Sequence, residues 1–240
     1  VPLSLEPYES DTQDAYLSPS SETTVLDTIE ADLKRALQYA PDAYTTIEAS
    51  FGRITKNAVK AIWADVKLWR GGEENYQKCI SLCEELEQVY DSKMVPSLQW
   101  FNMFSEGNSS ESIFEFQYVD KGLGSPLYGA YAVEASSDSN FFRVNRTAYQ
   151  RNIQKVYPYS NSDTIRYART IRTAGTTGTE VFKHTGISYH EGNYVRRSGL
   201  MTQRTNFIFY RFREILLIKA EALAMLERYS EAMEPINKIR

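Results

Sequence analysis

The sequence predicts a mainly α-helical fold whose helical hairpins are separated by an inserted, irregular α+β region. Apolar residues recur every three to four positions near both ends of the 240-residue chain, as on the buried face of an amphipathic helix. Residues 91–209 lose this periodicity and contain many Gly, Ser, Thr and aromatic residues. We therefore expect residues 1–90 and 210–240 to form two parts of one helical scaffold around an inserted, loop-rich region.

The composition is typical of a globular protein. Hydrophobic residues make up 42% of the chain, enough for a substantial core, and the formal net charge is only −4. These figures exclude an intrinsically disordered chain. The sequence also lacks the roughly 20 consecutive apolar residues that a membrane-spanning helix needs, so we expect no spanning segment.

The first ninety residues are predicted to form three helices. After an extended segment rich in Pro, Ser and acidic residues, residues 21–40 are amphipathic and stop at a Pro-Asp pair. A second apolar stripe covers residues 54–69 and a third covers residues 76–89. Gly71 and Gly72 separate these two stripes, so we expect a short glycine turn that joins an antiparallel helical hairpin.

The inserted region is predicted to combine short elements with loops. Residues 97–105 form a short predicted helix, in which Trp100 and Phe101 are candidates for the core. Residues 112–119 alternate and are rich in aromatic side chains, which indicates a β-strand. Residues 121–145 are predicted to form a loop, and residues 147–156 a short helix. Residues 165–199 show only weak strand signals.

Helical order is predicted to resume at Arg211. The apolar stripe that follows contains Leu216, Ala220, Leu223 and Leu226. A partner helix is expected over residues 230–240. Because Pro235 lies inside it, and proline is poorly tolerated beyond the first turn, we expect this helix to start late or to kink.

The two predicted hairpins share a pattern of small residues. When Ala64 is aligned with Ala220, and three extra residues are allowed in the glycine turn, Cys79 falls on Ala232. This is the tetratricopeptide pattern, in which small side chains let two helices cross closely. Tandem repeats of this type return after about 34 residues, whereas these alanines are 156 residues apart. We therefore predict tetratricopeptide-like hairpins with an insertion between them, not a continuous superhelix.

The two cysteines, Cys79 and Cys83, share one face of a predicted helix. A metal or redox pair is one interpretation, but zinc usually takes four N or S ligands, and His184 and His190 are distant in the sequence. We favour buried free thiols. No motif in the chain predicts a metal or a cofactor.

Charge is distributed unevenly along the chain. Residues 143–213 carry a net charge of +10, and the remainder carries −14. The basic part could meet an anionic ligand or partner. Alternatively, acidic helices and the basic insertion neutralise each other, which we favour because the chain as a whole is nearly balanced.

The inserted region contains a dense set of aromatic and hydrogen-bonding side chains. Flat aromatic rings bind the C–H faces of sugars, while Asn and Arg bond to hydroxyl groups. The same side chains suit a peptide, because tyrosine offers contact area at low entropic cost and arginine pairs with carboxylates. A third alternative is that most of the rings pack against the helices. The candidates for ligand binding are Tyr128, Tyr131, Phe141, Phe142, Arg143, Asn145 and Tyr149.

Catalytic and nucleic-acid functions are less well supported. The pairs Glu111 with Glu115 and Glu214 with Glu221 could suggest glycoside hydrolysis. The second pair shares a helix face, however, where pairing with Arg211, with Arg228 or with a neighbouring helix is a sufficient explanation. The basic insertion with its tyrosines is compatible with nucleic acid, but the acidic remainder would repel phosphate. We therefore predict a binding protein with no enzymatic activity and no nucleic-acid partner, with a tetratricopeptide-type interaction scaffold as an alternative.

Five segments, all in the same order, resemble motifs of the SusD/RagB family. They are residues 1–3, residues 52–61 with 64–68, residues 111–115 (ESIFE), residues 210–222 and residues 236–240. The residues assigned to the scaffold motif and to the hairpin pattern are Ala64, Cys79, Cys83, Arg211, Glu214, Ala220 and Ala232. The resemblance covers nearly the whole chain.

The resemblance implies a cell-surface, outer-membrane lipoprotein that binds a nutrient and is not an enzyme. It implies capture of a glycan, or alternatively a peptide, in the inserted region and transfer to a SusC-like TonB-dependent transporter. Family chains are longer and begin at a lipid-modified cysteine. Because that cysteine is absent, we expect an internal piece of such a protein, whose contact with the membrane depends on the absent anchor. At position 213, this sequence has an arginine where the family motif usually has a small residue.

Overall fold

The computed structural model describes residues 1–7, 9–10, 16–96, 99–118, 171–174, 178–181, 187–190, 193–196 and 205–239. Between residues 171 and 196, only the backbone of the strands is described. The fold described below is that of these residues only.

The described residues form mainly α-helices, which confirms the predicted fold class. The helices are α1 (Glu22–Tyr39), α2 (Ile47–Gly52), α3 (Lys56–Arg70), α4 (Glu73–Tyr90), α5 (Asn102–Glu106), α6 (Phe212–Met225) and α7 (Tyr229–Ile239). The strands are β1 (Ser112–Phe116), β2 (Ile171–Ala174), β3 (Gly178–Val181), β4 (Ile187–His190), β5 (Asn193–Arg196) and β6 (Phe207–Arg211). Across the described part of the chain, no helix has both the length and the apolar character needed to cross a membrane.

The chain divides into two compact units. The first, which we call the helical unit, comprises Val1–Ala43, Ile54–Gln88 and Glu214–Arg240. The second, the mixed unit, comprises Tyr44–Arg53 and Val89–Arg213. Each unit is therefore built from segments that are distant in the sequence.

In the helical unit, α1 packs against α3. Helix α1 begins where the Ser21 side chain accepts a hydrogen bond from the Thr24 N–H at 3.1 Å, which satisfies one of the free donors of the first turn. The buried Glu30 carboxylate of α1 then binds Lys67 at 2.8 Å and Arg70 at 2.9 Å. These charged contacts fix the register of the two helices.

A tight turn joins α3 to α4, as the paired glycines predict. Gly71 and Gly72 have φ angles of +71° and +86°, a region that residues with a side chain seldom occupy. Small residues of both helices, among them Ala61 and Ala64 of α3 and Cys79 of α4, are completely buried. Small side chains of this kind permit close packing.

The mixed unit is organised around an antiparallel pair, β1 with β6, in which Glu115 lies opposite Ile208. One face of this pair packs through Ile208 on a buried cluster of Trp100, Phe101, Met103 and Phe104. The core role predicted for Trp100 and Phe101 is therefore confirmed. Two further hairpins, β2 with β3 and β4 with β5, belong to the same unit.

The structure differs from the sequence prediction in three elements. Strand β6, which ends at Arg211, was not predicted, and neither was the short α2. The expected late start of the last helix is wrong, because α7 begins at Tyr229 and continues through the buried Pro235. Burial of this proline against the helical unit offsets the loss of its backbone donor. The short helix predicted for residues 147–156 lies outside the described residues.

Candidate functional site

The seven residues predicted to bind ligand all lie outside the described residues. They are Tyr128, Tyr131, Phe141, Phe142, Arg143, Asn145 and Tyr149, and their role stays a prediction. The structure does describe the residues on either side of this segment, in β1, in β6 and next to them. Because these residues flank the segment that contains the predicted ligand-binding residues, we call them the base of the candidate site.

The residues assigned to the scaffold motif are largely buried. Ala64, Cys79 and Cys83 are fully inaccessible to solvent, and Ala220 and Ala232 are nearly so. Both cysteines are free thiols. A hydrogen bond with Cys79 that favours the protonated form, together with burial, raises the pKa of Cys83, so the thiol stays protonated and unreactive. The prediction of buried free thiols is confirmed.

The other two scaffold residues differ in environment. Glu214 is exposed on the first turn of α6. Arg211 is half-buried at the end of β6, with its guanidinium 5.2 Å from the centre of the Phe104 ring. This distance allows a cation–π contact. Arg211 therefore helps to attach β6 to the aromatic core of the mixed unit.

Glu111, at the start of β1, forms a buried ion pair with Arg213. The Glu111 side chain is completely inaccessible, and its carboxylate also accepts a hydrogen bond from the Val95 N–H at 3.0 Å. Arg213 in turn donates to the Val95 carbonyl at 3.0 Å. The arginine that departs from the family pattern thus compensates a buried negative charge.

Glu115 is also fully buried and accepts three hydrogen bonds. The donors are the Asn108 N–H at 2.9 Å, the Asn206 side-chain amide at 2.9 Å and the Ser112 hydroxyl. A carboxylate held by three donors inside the protein is not presented to a substrate. Because Glu111 is buried as well, the pair has a structural role and does not have the open arrangement that glycoside hydrolysis requires.

Asn206 connects the residues on either side of the segment that contains the predicted ligand-binding residues. Its Oδ1 accepts a hydrogen bond from the Tyr118 N–H at 3.1 Å, and its Nδ2 donates to Gln117 at 3.0 Å as well as to Glu115. The chain leaves this point at Tyr118 and returns to it at Asn206. The amide therefore closes the base of the region that contains the predicted ligand-binding residues.

Gly107 makes this close approach sterically feasible. It has a φ of +70°, and a Cβ atom at this position would lie 2.5 Å from Asn206 Nδ2 and 3.0 Å from Glu115 Oε2. Any side chain would displace the hydrogen bonds of the base. Glycine is therefore required here by both backbone geometry and space.

The outer side of the β1–β6 pair displays four phenylalanines, which we call the phenylalanine face: Phe114, Phe116, Phe207 and Phe209. Phe116 is 46% exposed, Phe207 38% and Phe209 47%, while Phe114 is half-buried. Sequence reasoning identified the aromatic strand at residues 112–119 but not this face. The alternation of FIFYR in residues 207–211 was the signal that could have revealed its second half.

The helical unit contains a cavity of about 250 Å³ between charged side chains of α4, α6 and α7. At its wall, Lys219 lies 2.5 Å from Glu87 and 3.5 Å from Glu84. Burial alone would lower the pKa of Lys219, but its hydrogen bond to Glu87 and the charges of both glutamates raise it. Arg228 pairs with Glu231 at 2.7 Å. These groups neutralise one another and link the helices.

Metal ligation finds no support in the part of the chain that is described, which contains no group of three or more His, Cys, Asp or Glu residues placed to hold an ion.

Comparisons with known proteins agree on one family. The model of the SusD family matches residues 138–240. SusD-like protein P2 of Formosa agariphila is 25% identical over 247 residues, an alignment that covers 93% of this chain and 48% of the relative. The chain thus spans about half the length of the curated relative it matches.

Solved structures share the fold at low sequence identity. A SusD superfamily protein of Bacteroides thetaiotaomicron aligns with a TM-score of 0.74 at 20% identity, covering 100% of this chain and 50% of that one. Surface glycan-binding protein A of Bacteroides uniformis aligns with a TM-score of 0.65 at 20% identity, covering 100% and 53%. The corresponding protein of Bacteroides thetaiotaomicron, in complex with laminarihexaose, gives 0.61 at 18% identity, covering 90% and 53%.

Proposed function

We propose that this chain, which matches the SusD family model over residues 138–240, captures an oligosaccharide at the cell surface and passes it to a SusC-like TonB-dependent transporter. SusD-like proteins are binding proteins and not enzymes. The observation that supports the proposal most directly is the family match over residues 138–240, because it extends through much of the inserted region.

The chemistry of the described residues is consistent with binding without catalysis. Glu111 and Glu115, the carboxylates in the mixed unit that sequence reasoning considered for hydrolysis, are both buried and held by structural contacts. A general acid or base has to reach the bond that reacts. A protein that only has to hold its ligand does not need such a group.

Localisation follows from the same premise. SusD-like proteins are generally cell-surface lipoproteins of the outer membrane. We infer the same location for this protein, with attachment through a lipid anchor. The transporter partner is likewise inferred from the family.

Calorimetric titration of the chain tests ligand binding. The ligands are two uncharged hexasaccharides, laminarihexaose and maltohexaose, with a hexapeptide and single-stranded DNA as alternatives. Saturable binding of a hexasaccharide that changes little between low and high salt is the expected result. Binding of the peptide alone would overturn the glycan proposal in favour of a peptide ligand, and steeply salt-dependent binding of DNA would overturn it in favour of nucleic acid.

Transfer to a transporter needs a separate test. A TonB-dependent transporter encoded beside the gene should co-purify with the protein from detergent-solubilised outer membranes. Its absence from such a preparation, with the protein itself present, would contradict the partnership and leave the binding proposal intact.

A further inference from the structure

Cys79 and Cys83 are the two cysteines of the chain, and they lie about one turn apart in the middle of α4. Neither thiol has any surface exposed to solvent, and Ile80 and Leu82, in the turn between them, are buried as well. Glycan binding as proposed above makes no use of these thiols. Their chemistry is therefore a property of the helical unit itself.

The two thiols are in contact with each other. A side-chain hydrogen bond joins Cys79 to Cys83, and together with burial it raises the pKa of Cys83. Side chains four residues apart share one face of a helix, which explains the contact. Two adjacent thiols are the reactants for an internal disulfide, so the pair is placed for oxidation by its position in the sequence alone.

The backbone of α4 opposes that disulfide. On an α-helix, Cβ atoms four residues apart are separated by about 5 to 6 Å. A disulfide brings the two Cβ atoms to about 3.5 to 4.5 Å. The turn between Cys79 and Cys83 would have to lose its helical geometry, and the buried side chains of Ile80 and Leu82 would lose their packing with it. The disulfide and the folded helix therefore exclude each other.

Folding also keeps an oxidant away from the pair. Disulfide exchange begins when a thiolate attacks a sulfur atom of another disulfide, such as oxidised glutathione. Both cysteines are completely buried in the folded chain, and the raised pKa of Cys83 disfavours its thiolate. The attack on the oxidant has to wait until α4 opens.

We propose that the Cys79–Cys83 pair makes folding of the helical unit depend on the redox state of the chain. Folding keeps both thiols reduced, and a disulfide formed between them in the unfolded chain prevents α4 from forming. The oxidant is a small-molecule disulfide. Its S–S bond breaks as the protein S–S bond forms, and the two protons and two electrons that the cysteines lose produce two small-molecule thiols.

This property matters at the location proposed above. Proteins that leave the cytoplasm meet disulfide-forming surroundings. Folding of α4 therefore competes with oxidation of the pair, and the chain that folds first is protected. The inference goes beyond ligand binding and does not depend on which ligand is bound.

The first test measures protection of the thiols in the folded chain. The chain is incubated with oxidised glutathione in native buffer and in concentrated urea, and intact-mass spectrometry follows the internal disulfide, which loses two hydrogen atoms and gains no glutathione. Because an unfolded fraction of only about 10⁻³ to 10⁻⁶ is typical, the reaction should be at least about 100-fold slower in native buffer. Equal rates in the two solutions would overturn the proposal.

The second test determines whether the oxidised chain can fold. The disulfide form made in urea is transferred to native buffer, and circular dichroism records its thermal unfolding. Its midpoint should lie at least about 10 °C below that of the reduced chain, because interrupting a buried turn removes core contacts. Dithiothreitol should restore the native midpoint. An oxidised chain that unfolds at the native temperature would show that α4 accommodates the disulfide, which overturns the proposal.

A variant without thiols provides the matched control. Cys79→Ala/Cys83→Ala keeps two small side chains in the core and should have the same midpoint with and without the oxidant. If it loses as much stability as the native chain, the internal disulfide is not the cause and the proposal is refuted. The rates of the first test require no refolding, so they decide the matter even where transfer from urea is irreversible. Failure of this inference leaves glycan capture standing, and failure of glycan capture leaves this inference standing.

Discussion

The Tyr118 N–H donates a hydrogen bond of 3.1 Å to the side-chain Oδ1 of Asn206, across 88 residues of sequence. This bond joins the two sides of the segment that contains the predicted ligand-binding residues. The same amide also binds Glu115 and Gln117. One nearly buried side chain therefore closes the base of the inserted region.

Asn206→Leu should destabilise the mixed unit. The substitution keeps the side-chain size but leaves the Tyr118 N–H without its partner and removes one donor from Glu115. We expect the free energy of unfolding to fall by about 1 to 3 kcal/mol, the cost of unsatisfied buried polar groups. Urea denaturation measures this. Asn237→Leu, at an exposed position of α7, is the control, and an equal loss in both variants would contradict a specific role for Asn206.

Arg213→Met should cost more, because it removes the closer of the two arginines that pair with the buried Glu111 carboxylate and leaves only Arg211, at 3.9 Å. Removing one partner of a buried ion pair typically costs about 3 to 5 kcal/mol. Adding Glu111→Gln removes the orphaned charge and should restore part of the stability. A double-mutant cycle from denaturation curves provides the coupling energy. Strict additivity of the two losses would show that the pair contributes no interaction energy.

Glu30 makes the stability of the helical unit depend on pH. Burial acts to raise the pKa of this carboxyl, but its hydrogen bonds and attraction to Lys67 and Arg70 outweigh burial and lower it below its ordinary value of 4.5. A depressed native pKa contributes stability that is present above pH 4.5 and is lost as the pH falls toward the native pKa.

Glu30→Gln should therefore reduce stability at pH 7 by about 1 to 3 kcal/mol and flatten the decline below pH 4.5. Thermal unfolding at a series of pH values measures both effects. Glu221→Gln, at an exposed position of α6, serves as the control. If the stability of the Glu30 variant falls below pH 4.5 as steeply as that of the native chain, groups other than Glu30 are responsible for the loss.

Gly107→Ala should destabilise more than Gly72→Ala. Both glycines have positive φ, so alanine is strained at either position, by about 1 kcal/mol. At Gly107 the added Cβ would also lie 2.5 Å from Asn206 Nδ2, whereas at Gly72 it would meet nothing within 4 Å. We expect the Gly107 variant to lose at least about 1 kcal/mol more, as overpacking does. If the Gly107→Ala and Gly72→Ala variants have the same midpoint of thermal unfolding, the steric contact at Gly107 is ruled out.

Much of the helical unit could be predicted from the sequence. The three-to-four residue spacing over residues 21–40, 54–69 and 76–89 corresponds to α1, α3 and α4 within a few residues. These patterns are local, because one face of a helix is defined by neighbours within two turns. The paired glycines and the small residues of the hairpins are also local signals, and so are the motifs that revealed the family.

The base of the inserted region could be determined only by the tertiary structure. The pairing of Glu111 with Arg213 joins residues 102 positions apart, and no spacing rule connects them. The same applies to Tyr118 and Asn206. In β1, alternation defines two faces, but Glu115 on one and phenylalanine on the other give no indication of which is buried. That choice depends on the polar network around Glu115 and on the aromatic cluster beneath Ile208, which exist only once distant segments have come together.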